Sequence, residues 1–138
     1  MTESGQATAL KSDAFVAAVK AGDPGALTDC LAEDVLFHSP VTFRAYEGKA
    51  LVSTILTEGA MKVFSDFRYT DRMEEGDTAA LIFEAKVGDR EVGGLDLLRF
   101  DAEGKVRHLT VMVRPMSGLH TLAEAMGKRF EALGITPP

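Results

Sequence analysis

The chain has 138 residues, 46% of them apolar and 26% charged, with a net charge of −6, which describes one domain with a core of its own and no need for a second. That negative charge, with no basic run and no basic stretch interleaved with aromatics, argues against binding a phosphate backbone. A single cysteine, Cys30, rules out an intrachain disulfide, and its neighbours Leu27 and Leu31 mark it as a small buried hydrophobe rather than a nucleophile.

The opening MTESGQATALKSD has no basic end followed by an apolar core, and no segment approaches about eighteen uninterrupted apolar residues, so the expected compartment is the cytoplasm, away from membranes. Residues 1–9, small and polar, are expected to be disordered. A helix should begin at Ser12 or Asp13, bury Phe15, Ala18 and Val19, and stop near Gly22. Asp23-Pro24 is a strong helix start, since Asp accepts from free amides and Pro fits the first helical position; this second helix is expected to reach Ala32.

A short strand over 34–40, ended by Pro40, comes next, then a loop and a third helix over 49–61. Strands are expected over 66–74 and 79–87, separated by Gly-Asp turns, and a final helix over 117–133 carries Leu119, Leu122, Met126, Phe130 and Leu133 on one stripe. The order gives an α+β domain with helices gathered against one face of a curved, mainly antiparallel sheet.

The most informative stretch is EVGGLDLLRFDAEGKVRHLTVMVRP, residues 91–115, two apolar strands around a three-residue turn in which Gly104 takes the left-handed position and Asp101 faces Lys105. Simple counting then pairs Phe100 with Val106, Leu98 with His108, Asp96 with Thr110 and Gly94 with Met112 on one face. Leu95, Leu97, Leu109, Val111 and Val113 fall on the other. In this register Asp96 clusters with Thr110 and His108, and a shift of one residue would break the cluster. A buried carboxylate is costly unless paired or used, which makes Asp96 the leading functional candidate. Gly93-Gly94 is read as a bulge or bend where the sheet curls round a cavity.

The runs LAEDVLFHSP, EGKA, GGLDLLRFDAEGKV and VMVRP resemble a SnoaL-like member of the nuclear transport factor 2-like superfamily, over nearly the whole chain. The resemblance implies a cone-shaped half-barrel: a bent sheet wraps round the N-terminal helices, leaves a deep apolar pocket, and often pairs two subunits through its outer face. Relatives of this kind include polyketide cyclases, ketosteroid isomerases, limonene epoxide hydrolases and scytalone dehydratase, and also members that only bind or dimerise. Asp96 stands where several such relatives keep a pocket acid, and His38 near where relatives place a base. The epoxide hydrolases' further arginine and second acid have no counterpart, since position 94 is glycine and no acid lies between Lys105 and Met116.

Two functions are therefore expected to compete. One is a cofactor-independent isomerase, cyclase or dehydratase acting on a small, largely apolar carbonyl compound, with Asp96 as general acid or base, His38 or His108 orienting it, and Tyr46 or Tyr69 steadying an oxyanion. Phe83, Thr110 and Met112 are further expected ligand contacts. The other is a non-catalytic homodimer that binds a ligand or serves assembly, with Asp96 tied up internally. The three histidines show no ligand spacing, so neither a metal nor another cofactor is expected.

Overall fold

The computed structural model describes residues 9–138, so the expectation of disorder for residues 1–9 lies almost wholly outside the described residues. Helix α1 (Asp13–Ala21) buries Phe15 and Ala18 and ends at Gly22, left-handed at φ 61°. Its first turn is capped from a distance. The Glu74 carboxylate accepts from the backbone amides of Lys11 and Ser12 at 2.7 and 3.1 Å and from the Ser12 hydroxyl at 2.6 Å.

Burial works to raise the Glu74 pKa, but those three hydrogen bonds and nearby Arg72 outweigh it and hold the group below its ordinary 4.5. A depressed carboxylate stabilises the fold above its unfolded pKa and loses that contribution as pH falls through the folded one. Glu74→Gln should thus cost about 1–2 kcal/mol at neutral pH and nothing in strong acid, a difference readable from thermal melts across pH.

Helix α2 (Pro24–Asp29) starts as expected, with Asp23 Oδ1 accepting from the Ala26 amide at 3.1 Å. It is shorter than expected, because Leu31 and Ala32 already belong to strand β1 (Leu31–His38). A two-residue strand β2 (Tyr46–Glu47) pairs antiparallel with β1 where the sequence predicts only a loop. Helix α3 (Lys49–Thr54) widens into a π-helical turn (Ile55–Ala60) and closes in one α-turn, α4 (Met61–Val63).

Four long strands follow: β3 (Phe64–Glu75), β4 (Thr78–Val87), β5 (Arg90–Phe100) and β6 (Val106–Arg114). Helix α5 (Met116–Leu133) completes the chain. The sheet order is β2-β1-β6-β5-β4-β3, antiparallel except where β1 lies parallel to β6. Register shifts interrupt the β1–β6, β3–β4 and β5–β6 pairs, and such bulges bend a sheet. The curved α+β architecture expected from the sequence is the one observed.

The helices cover the inner face. Val35, Val52, Ile55, Leu81, Leu98 and Leu109 are sealed between the layers. Among the described residues no helix is long and apolar enough to cross a membrane.

Candidate functional site

The β5–β6 turn forms as the sequence predicts: Gly104 has φ 80°, and the Asp101 amide donates to the Lys105 carbonyl at 2.8 Å. The strands beyond it do not pair by simple counting. Phe100 faces Val106, but Arg99 faces His108, so Arg107 is one extra residue in β6. That bulge turns Arg107 outward toward Asp34, 3.6 Å away, and exchanges the faces of everything after it.

Asp96 consequently faces Val111, not Thr110, and shares the inner face with Leu98 and Leu109. His108, Thr110 and Met112 lie on the outer face. His38, paired with Thr110, lies there too and lines an open recess with Thr110 and Met112, its Nε2 being 3.4 Å from His108 Nδ1. The expected cluster of Asp96 with Thr110 and His108 is not formed, and the sheet itself separates Asp96 from His38.

What the inner face builds instead is a cavity of about 360 Å³ between sheet and helices, within the usual small-molecule range of about 300–1,000 Å³. Asp96, Tyr46, Tyr69 and Phe83 all line it. Asp96 is 8% exposed, and its Oδ2 accepts a 2.7 Å hydrogen bond from the Tyr69 hydroxyl. Its other oxygen has no partner among the described residues. Burial raises the Asp96 carboxyl to about 7, with the Tyr69 hydrogen bond opposing that rise. Tyr69 is itself pushed far upward, first by burial and then by the Asp96 charge and their hydrogen bond, so it remains a donor throughout the neutral range.

The wall around this pair is aromatic. Phe67 stacks on Phe83 with centroids 4.7 Å apart and meets Tyr69 edge-on at 5.1 Å, while Phe64 packs edge-on against Phe67 and Phe83. Phe64 and Phe67 escaped the sequence reading as site residues, although Phe67 stands two residues from Tyr69 and so shares its face. Phe64 joins them because β3 carries an extra residue near Asp66, whose φ is 50°.

Tyr46 is buried against Phe37 and Phe130, and no protein hydrogen bond to its hydroxyl forms among the described residues. Cys30 donates to the Ala26 carbonyl at 3.3 Å, and burial pushes its thiol up, consistent with a packing role. Among the described residues no group of three or more His, Cys, Asp or Glu side chains is arranged to hold a metal ion.

A structure of a steroid delta-isomerase from Pseudomonas aeruginosa is 36% identical, covers 92% of this chain and 96% of its own, and superposes with a TM-score of 0.83. An uncharacterised bacterial protein with a cystatin-like fold from Silicibacter pomeroyi is 32% identical over 88% of this chain and 85% of its own, also at 0.83. A SnoaL-like protein of unknown function from Burkholderia thailandensis, 16% identical over 75% of this chain and 92% of its own, shares the fold at 0.64. No curated protein sequence matches the chain. The family model of the SnoaL-like domain matches residues 13–109, and the chain therefore belongs to the SnoaL-like family of the nuclear transport factor 2-like superfamily.

Proposed function

We propose that this protein binds a small, largely apolar carbonyl compound and moves a proton beside its carbonyl group, with Asp96 as the acid–base residue. The observation that carries the reading is one carboxylate oxygen held by Tyr69 while the other side of the group meets an apolar cavity. A base poised near neutrality can both take and return a proton, as isomerisation of an unsaturated ketone requires. Asp96 takes a proton from the carbon between carbonyl and alkene, the electron pair moves into a dienolate, and the same proton returns at the far carbon. No atom is gained or lost.

Tyr69 is engaged with Asp96, so the other hydroxyls of the lining, those of Tyr46, Thr42 and Ser39, are the ones available to donate to the enolate oxygen, and Thr42 Oγ1 is buried without a partner among the described residues. The likeness to the steroid delta-isomerase supports an isomerase over a cyclase or dehydratase. The test is incubation with β,γ-unsaturated ketones, a steroid 3-ketone included, while following the conjugated product by absorbance. Turnover supports the reading. Saturable binding with no product from any of them would make the protein a binding module.

Tyr69→Phe offers a finer check. Removing the hydrogen bond that holds the Asp96 pKa down should move the acid limb of the pH–rate profile above its wild-type midpoint near 7. An unchanged midpoint would detach Tyr69 from the proton transfer.

A homodimer through the outer sheet face also belongs to this reading. That face carries Leu95, Leu97 and Thr110 half-buried and Met112 and Met73 54% and 58% exposed, more apolar surface than a solvated sheet face needs. Light scattering should give the mass of two chains for the wild type and of one for Met112→Lys. A wild-type mass of one chain would rule the dimer out.

A further inference from the structure

The cavity has an unusual charge inventory. Its lining includes Asp96 and two tyrosines, but no Lys, Arg or His among the described residues. Asp96 pairs across the sheet with Leu81 of β4 and Val111 of β6, and Phe83 of β4, Leu109 of β6 and Leu122 and Met126 of α5 line the cavity with it, none of which titrates. Tyr69 of β3 is the exception, and it supplies a dipole without a charge. An ionised Asp96 is thus a buried anion with no counter-cation, whose desolvation the fold has already borne. Beside it stands a wall of Phe64, Phe67, Tyr69 and Phe83, and aromatic faces attract cations.

We propose that the cavity is also a receptor for lipophilic primary amines, the ammonium head pairing with Asp96 beside the aromatic wall and the apolar body filling the remaining space. The inference shares with the functional reading the placement of Asp96 at the cavity, but it requires no turnover. An ammonium supplies the charge that the lining lacks, whereas a neutral alcohol of the same shape supplies only a hydrogen bond. Such amines would compete with any carbonyl substrate for the same carboxylate.

The pairing has a definite pH signature. It needs Asp96 ionised and the amine protonated, conditions met together between about pH 7 and the ordinary amine pKa of about 10. Below that window affinity should fall about tenfold per pH unit.

The experiment is calorimetric titration of adamantylmethylamine and its neutral isostere adamantylmethanol into wild type and Asp96→Asn, at about pH 8.5 and about pH 5.5. The expected result is that wild type binds the amine about tenfold or more tightly than the alcohol at the higher pH, an advantage that disappears at the lower. Asp96→Asn should lose the amine's advantage while binding the alcohol within about threefold of wild type. Equal affinity for the two probes in wild type at the higher pH overturns the proposal, as does an amine advantage that survives in Asp96→Asn or a failure of the amine to bind at all. Amine preference without ketone turnover would leave this inference standing and remove the isomerase reading; turnover without amine preference would do the reverse.

Discussion

Asp96→Asn should lower ketone turnover by at least about a hundredfold, the usual contribution of a positioned proton-transfer group, while ketone affinity changes little. The amide has the carboxylate's shape and still accepts from the Tyr69 hydroxyl, so cavity and fold should persist. Stability should change in the opposite sense to activity. A carboxyl whose folded pKa is about 7 against an ordinary 3.8 is deprotonated in the unfolded chain first, so wild-type stability falls as pH rises between those values and then levels off. The difference amounts to roughly 4 kcal/mol at most. Thermal melts should accordingly show Asp96→Asn level with wild type near pH 4 and clearly more stable above pH 7. A variant that keeps full turnover would remove Asp96 from the chemistry.

Gly94→Ala should destabilise the fold by about 3 kcal/mol or more, among the largest effects of any single methyl group added to this chain. A Cβ there would stand 2.3 Å from the Phe83 ring and 2.4 Å from the Met112 carbonyl oxygen. The ring could turn, but the carbonyl belongs to the neighbouring strand, and moving it disturbs the β5–β6 pairing on which Asp96 depends. Gly127→Ala is the control. It sits in helix α5 with nothing within 4 Å of the new methyl, and alanine's helix preference should make it neutral or stabilising by up to about 1 kcal/mol. Chemical denaturation of both variants checks the pair, and a mild Gly94→Ala would show that β6 yields easily.

Gly94 also shows how far the sequence could be read. The glycine pair before Asp96 suggests a bulge or bend, but both neighbouring strands pair through it in unbroken register; what Gly94 provides is a close approach, since Phe83 lies opposite it and occupies the space a side chain would take. Helix starts, the hairpin turn and the α+β order were legible because each rests on local chemistry, as with Asp23-Pro24 or Gly104. The fate of Asp96 was not local. One extra residue, Arg107, looks like any other strand residue in the sequence, yet it exchanged Thr110 and His108 for Val111 and Leu109 across from Asp96. Tyr69, the actual partner, is 27 residues away in the chain, and only the β3–β4–β5 register brings them together. The π-helical turn of α3 gave no recognisable signal either. Its Leu56 and Ala60, with Met61 just beyond it, help wall the cavity, and Thr57 caps the Ser53 carbonyl at 2.7 Å.

Carbon-detected NMR titration of the Asp96 side-chain carboxyl tests most directly whether this group faces an apolar cavity with its proton poised for transfer. Assignment follows from the signal lost in Asp96→Asn. A titration midpoint near 7, rising further in Tyr69→Phe, is the predicted result. A midpoint at the ordinary aspartate value of 3.8 would contradict the account, since it would describe a solvated carboxylate with neither the burial nor the basicity that the proposed chemistry requires.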